Sequence, residues 1–465
     1  MARTPLSSVD AAWLRMEDPT NLMMVTGLLV FDERLDPSAV RQVIEERLLG
    51  FPRFRQRVAE APLGMGPPQW SSDRRFELDA HLHRVALPEP GDKGALEAFV
   101  SDLMSTPLDF TKPLWQIHLV DYGRGSVLVA RIHHCIADGI ALIQVLLSLT
   151  DPTPEAAHPR RPADGSPLAG STLPFLSRVN RSRVNRLAEA GFGLVREPSR
   201  ALGVAGMAAA AAGTLAQISL LPPDPKTPLK GPLGTSKRAA WSEPIPLDEV
   251  KSAGARTGAT INDVLVTAAA GALRRYLVER GEDVSQLEVR VAVPVNMRAP
   301  DEVHGLGNQF GLVFLQLPLW IADPGERLAE IKQRMDDLKT SVQPAVALAM
   351  LNALGYVPGA AQPLAVRFFG SKASAVLTNV PGPRERLYLT GKPLQRAMFW
   401  VPQSGRLGLG ISILSYNGEV LVGVATDAGL MPDPERVVAS FEADLGDLLA
   451  GGGRRRPARR SRRRT

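Results

Sequence analysis

The sequence predicts an α/β (α+β) protein built in two halves, and three observations point to it. Its 465 residues exceed what one ordinary core holds, so two domains of about 200 residues each are expected. Strand-like runs, alternating or continuously apolar, recur between runs with helical periodicity. After Asp151 a stretch rich in Pro, Ala and Gly interrupts both patterns. The chain therefore divides into an N-terminal half over 1–150, a linker and helical crossover over 151–236, a C-terminal half over 237–450 and a disordered arginine-rich tail over 451–465.

In the first half, "SSVDAAWLRMED" reads as a short capped helix, "MMVTGLLVF" as a strand and "PSAVRQVIEERLL" as an amphipathic helix. The most informative stretch is "SVLVARIHHCIADGIALIQVL", Ser126 to Leu146. Leu128, Ala130, Ile132 and His134 fall on one face of a strand, and Val127, Val129, Arg131 and His133 on the other, so the two imidazoles are expected to point in opposite directions. The period then changes: Asp138 has the character of an N-cap, and Gly139 to Leu149 reads as a buried apolar helix. The histidine pair thus sits at a strand-to-helix junction, a place where catalytic side chains are often displayed.

Residues 151–171 carry no apolar periodicity and read as a linker, and residues 172–221 as helical without strands. No charge occurs from Ala201 to Pro223, which leaves a packed or crossing helix, an interfacial element and a membrane span open; the Ala and Gly content argues against the span. The second half, from near Lys237, offers a helix in "TINDVLVTAAAGALRRYLVERG" and strands in "LEVRVAVPVNMR" and "QFGLVFLQLPL". A polar helix, "PGERLAEIKQRMDDLKTS", follows; the strands "ASAVLTNV", "LGLGISILSYNG" and "EVLVGVATDAG" come next, and an amphipathic helix from Pro434 to Leu449 closes the chain.

The formal charge of +6 describes the end of the chain: eight arginines stand between Arg454 and Arg464, and without them the remainder carries −2. The basic pI of 9.6 is therefore no sign of specific nucleic-acid binding. One cysteine, Cys135, excludes an intrachain disulfide and suits a reducing compartment. The opening residues lack a basic segment leading into an apolar one, so a cytoplasmic location is expected.

A neutral histidine can take a proton from a hydroxyl as attack develops and return it to a leaving group. His134 is the candidate base, with a lesser direct role for His133. Asp138 suits a bracing role, through backbone N–H groups or an arginine, and Gly139 a tight turn into the helix. Cys135 as a nucleophile competes with its reading as a small buried residue. The other histidines, His81, His83, His118, His158 and His304, are too scattered for a metal site, and no Gly-rich phosphate loop is present.

At these residues the chain resembles the His-His-x-x-x-Asp-Gly acyltransferases, which include chloramphenicol acetyltransferase and peptide-synthetase condensation domains. Within that group it is most similar to the bacterial wax ester synthase/acyl-CoA:diacylglycerol acyltransferases. The resemblance runs through "PLSSVDAAWLRMEDPTNLMMVTGLLVF", "DFTKPLWQIHLVDYG", "INDVLV", "VPVNMR", "GNQFG", "TNVPGP" and "ILSYNG", in the family's order. It departs at Leu22-Met23-Met24, where such proteins often carry Pro-Met-His, so that histidine is absent here.

The resemblance implies two chloramphenicol-acetyltransferase-like domains side by side with a tunnel between them. It implies acyl transfer from acyl-CoA to a long-chain alcohol or to diacylglycerol, with His134 as general base, no covalent intermediate and no cofactor beyond the acyl-CoA substrate. Asn262 and Asp263 match the family's Asn-Asp pair; Asn262 is a candidate for oxyanion or acceptor positioning, against the reading of the pair as a helix start. In Pro113-Leu114-Trp115 the tryptophan reads as core, and "TNVPGP" as a strand halted by a rigid turn near the substrate path. Arg298, ending "VAVPVNMR", is the expected partner of Asp138 and so a structural support of the motif. Substrates this apolar imply peripheral contact with a membrane or lipid-droplet surface, for which the arginine tail and residues 201–221 are candidates. A condensation-type acyltransferase with a carrier-bound donor and a non-enzymatic lipid- or nucleic-acid-binding protein remain as alternatives.

Overall fold

The computed structural model describes residues 3–60, 67–155, 220–297, 308, 310–339, 343, 346–348, 350, 366–368, 370–403 and 407–451. Arg298, most of the 151–236 segment and the arginine tail lie outside these residues.

The N-terminal half supplies helices α1 (Ser8–Arg15), α2 (Pro37–Glu46), α3 (Lys93–Ser105) and α4 (Gly139–Ser148), each started by a side-chain cap from Ser7, Asp36, Asp92 and Asp138 respectively. Its strands are β1 (Thr4–Pro5), β2 (Met24–Phe31), β3 (Gln56–Ala59), β4 (Gln69–Ser72), β5 (Leu82–Ala86), β6 (Trp115–Tyr122) and β7 (Gly125–His133). The C-terminal half opens with β8 (Lys237–Trp241) and β9 (Ile245–Pro246), followed by α5 (Leu247–Thr257) and α6 (Ile261–Glu279). Then come β10 (Glu288–Asn296), β11 (Phe310–Pro318), α7 (Pro324–Lys339), β12 (Ala375–Pro381), β13 (Tyr388–Leu389), β14 (Lys392–Trp400), β15 (Leu409–Tyr416), β16 (Glu419–Asp427) and α8 (Pro434–Leu449).

Each half is organised by one large mixed sheet. The C-terminal sheet runs β11-β10-β12-β15-β16-β8, with β9 on β16. Helices α5 to α8 cover one of its faces, and Val291, Leu377, Ile411 and Val422 pack there with Leu273 and Phe441. The N-terminal sheet runs β13-β14-β2-β7-β6-β5, so two of its strands come from residues 388–400. β14 pairs antiparallel with β2 through Trp400↔Thr26 and Phe399↔Gly27, crossing from one half to complete the other.

The strand alternation expected in β7 is realised as two cores. Leu128, Ala130 and Ile132 pack with α1, α2 and α4 residues such as Trp13, Val43 and Leu142. Val127 and Val129 face the junction of the halves, packing against Val100 of α3, Trp241 of β8, Trp400 of β14 and Ala425 of β16. Gly423 of β16 is what lets the two sheets meet, since a Cβ there would lie 2.7 Å from both Met398 Cε and Trp400 Nε1.

Candidate active site

Two different environments receive the paired histidines. His133 is fully buried, and its Nδ1 accepts a hydrogen bond from the Cys135 N–H at 3.0 Å. The ring proton is therefore on Nε2, which lies 3.3 Å from Glu17 Oε2. Glu17 also accepts from the Met23 N–H, and Phe110 meets the His133 ring edge-on at 5.7 Å. Nδ1 of His133 thus serves the turn after β7, whereas Nε2 stands near Glu17 without a formed hydrogen bond.

His134 faces the other way. Its main chain is held on both sides: the N–H donates to Met23 O at 2.7 Å and the carbonyl accepts from Asn308 Nδ2 at 2.8 Å. The imidazole stacks on Trp13, with 4.0 Å between centroids and 21° between planes, and Phe310 lies at 5.7 Å. Burial pushes its pKa down to about 4, against a smaller upward pull from the Asp138 carboxylate. Near neutral pH the ring is uncharged and can accept a proton.

Asp138 caps α4, its Oδ1 accepting from the Ala141 N–H at 2.9 Å. Its expected partner, Arg298, is outside the described residues. Gly139 is not among the residues with positive φ, so the turn into α4 does not require a left-handed backbone. The missing side chain leaves room for Val401 instead, whose Cγ1 would lie 3.2 Å from a Cβ at this position.

His134, Asp138 and Gly139 line a pocket between the two halves, enclosing about 610 Å³ of space that is partly open to solvent. Its walls are mostly apolar, from Trp13, Phe310, Leu312, Val376, Phe399 and Val401 among others. Thr378 and Asn379 of β12 bring polar groups to it, and Thr378 Oγ1 is buried without a hydrogen-bond partner. A second pocket, lined by Leu22, Met24, Thr26, Met104 and Lys237 among others, shares Val401 and Pro402 with the first.

Asn262 and Asp263 stand behind this wall. Asp263 forms a reciprocal capping box with Thr260, its carboxylate accepting from the Thr260 N–H at 2.8 Å. Asn262 Oδ1 accepts from Asn379 Nδ2 at 2.8 Å, so Asn262 holds a residue of the pocket and is not itself among those lining it. Trp115 is core as expected, donating from Nε1 to Phe54 O and stacking on His81. Burial raises the Cys135 thiol pKa well above its ordinary value, which keeps the sulfur protonated and weak as a nucleophile. Among the described residues no His, Cys, Asp or Glu cluster could hold a metal ion.

Trp13, Asn308, Thr378 and Val401 were not singled out from sequence. Trp13, Asn308 and Thr378 lie in the "PLSSVDAAWLRMED", "GNQFG" and "TNVPGP" blocks, which is the available signal, although Trp13 by itself reads as an ordinary apolar helix residue.

Comparison with known proteins assigns two long segments of the chain to one family. Residues 6–265 match the wax ester synthase/diacylglycerol acyltransferase catalytic domain, and residues 306–448 match the C-terminal domain of that family. Two Mycobacterium tuberculosis relatives named as diacylglycerol O-acyltransferases are 31% identical over 96% of this chain and 90% of the relative, and 28% identical over 98% of each. The structure of the wax ester synthase/diacylglycerol acyltransferase from Marinobacter aquaeolei aligns with a TM-score of 0.69 at 24% identity, covering 96% of this chain and 99% of that one. The first condensation domain of the calcium-dependent antibiotic synthetase shares the fold, with a TM-score of 0.61 at 17% identity over 97% of each chain. On the two family matches, which together span most of its length, this chain belongs to the wax ester synthase/diacylglycerol acyltransferase family and is an acyltransferase.

Proposed function

We propose that the chain transfers a fatty acyl group from acyl-CoA to the hydroxyl of diacylglycerol, of a long-chain alcohol, or of both, with His134 as general base. The observation that carries this reading is the placement of His134, uncharged and stacked on Trp13, on the wall of an apolar pocket between the halves.

The acceptor hydroxyl gives its proton to His134 as its oxygen bonds to the thioester carbon, and the carbonyl becomes an oxyanion. Collapse breaks the carbon–sulfur bond, and the imidazolium returns the proton to the departing thiolate. A thioester is already activated, so no acyl-enzyme is required. Thr378 Oγ1, buried and unpartnered on the pocket wall, is the candidate donor to the oxyanion, with Asn262 steadying the adjacent Asn379.

The test is purified chain with radiolabelled acyl-CoA and either hexadecanol or diacylglycerol. Labelled wax ester or triacylglycerol supports the reading and ranks the acceptors; loss of thioester without either ester points to another acceptor. His134→Ala is expected to lower turnover by about 10²–10⁴-fold. His133→Ala acts mainly through stability, because it empties a fully buried site and takes the acceptor from the Cys135 N–H.

A further inference from the structure

Asn308 reaches the base from a segment far away in sequence. Its Nδ2 donates to two acceptors, Asp10 Oδ1 at 2.8 Å and the His134 carbonyl at 2.8 Å. A carbonyl can only accept, and the Asp10 carboxylate accepts as well, so the amide must present its NH₂ to both. The direction of the amide is thereby fixed, and its oxygen points elsewhere. Asp10 is 1% exposed and Asn308 6%, so bulk water does not compete. Two buried atoms are left without a hydrogen-bond partner here, Asn308 Oδ1 and His134 Nδ1. The Asn308 side chain favours the protonated form of the His134 ring, and the His134 backbone does so as well, to a smaller extent.

We propose that Asp10 and Asn308 form a positioning chain for the base, in which Asp10 orients the amide and Asn308 turns its oxygen toward His134 Nδ1. The ring proton stays on Nδ1, and Nε2 is left to take the proton of the acceptor hydroxyl. As the imidazolium forms, its Nδ1–H gains the amide oxygen as acceptor, a contact that tightens when the ring becomes charged. This chain is separate from the Asp138 cap, and it rests on His134 being the base.

The experiment uses the full chain labelled with ¹⁵N-histidine, with the His134 resonances identified by their loss in His134→Ala. Wild type is expected to show the Nδ1–H tautomer. Asn308→Ala and Asp10→Ala are expected to move it toward Nε2–H and to lower kcat by about 10–100-fold with both KM values unchanged. Asp10→Asn, which keeps an acceptor oxygen, is expected to retain the wild-type tautomer and most of kcat. A merely structural role would lower stability without moving the tautomer. An unchanged tautomer in Asn308→Ala, or Nε2–H in wild type, overturns the proposal; if Asn308→Ala does not fold, the contrast between Asp10→Ala and Asp10→Asn decides it. A wild-type chain with the expected tautomer and no acyl transfer counts against the proposed reaction and leaves the positioning chain standing.

Discussion

The indole of Trp13 lies parallel to the His134 imidazole, 4.0 Å away and tilted by 21°. An aromatic face stabilises a cation above it by about 0.5–2 kcal/mol, and the imidazole becomes a cation only while it holds the substrate proton. Trp13→Leu is therefore expected to reduce kcat by about 2- to 30-fold, and Trp13→Phe to recover much of the loss. Steady-state kinetics on variants of matched thermal stability tests this, and an unchanged kcat in Trp13→Leu reduces the stack to packing.

Val401 stands between the His134 pocket and the second pocket, against Gly139. Val401→Ala should join the two spaces and shift preference toward longer chains, and Val401→Phe toward shorter ones. The readout is the ratio of kcat/KM across a chain-length series, with a change of about tenfold expected. A parallel loss at every length excludes Val401 as a wall.

Burial holds His134 near a pKa of about 4, below the ordinary histidine value of about 6.5, so the base form persists through mildly acidic pH. The acid limb of kcat/KM is expected near pH 4. Asp138→Asn should move it lower still, because the carboxylate favours the protonated ring. A pH–rate profile with its acid limb at 6.5 contradicts the buried, uncharged state.

His118 is pushed down to about 4 by burial and by the nearby Arg131. Its folded pKa lies below the unfolded value of about 6.5, so its contribution to stability is complete above that pH and is lost as pH falls toward 4. Between pH 7 and 5 the loss is about 2 kcal/mol. His118→Leu should shrink the difference between denaturation midpoints at these two pH values by a corresponding amount; an undiminished difference assigns the acid sensitivity to other groups.

The eight arginines between Arg454 and Arg464 should draw the chain to anionic lipid by up to about 1 kcal/mol each, an attraction that salt screens. Removing residues 454–465 is expected to weaken sedimentation with anionic vesicles while leaving activity on detergent-dispersed substrate intact. Binding indifferent to both salt and tail removal shifts the anchor to residues 201–221. Among the described residues no helix is long and apolar enough to cross a membrane.

Elements with local instructions were legible in the sequence. Ser7 and Asp138 announce α1 and α4 through their caps, the alternation of β7 separates two cores, and Pro434 to Leu449 is the closing helix. β14 was not legible: its last four residues, Ala397 to Trp400, are all buried, and its partner β2 lies more than 350 residues earlier. Without alternation at its buried end, "KPLQRAMFW" carries no clear strand period. The site divides in the same way. His134 and Asp138 stand out because strand, turn and helix signals meet around them, whereas Trp13, Asn308 and Thr378 acquire their roles from contacts that only folding makes. Asn262 and Asp263 were visible as a pair, but their division into a support for Asn379 and a cap for Thr260 depends on partners that spacing does not reveal.

The crossing strand also sets a schedule for biosynthesis. β2 emerges from the ribosome early and finds β7 soon afterwards, but its other edge has no partner until residues 392–400 are made. At about 5–20 residues per second, that edge stays open for roughly 10–50 seconds. During this interval the nascent chain displays an apolar strand with unpaired backbone groups, a template for pairing with other chains. Truncation before Lys392 makes that exposure permanent, and the yield of folded enzyme becomes sensitive to translation speed and to chaperones that shield open sheet edges.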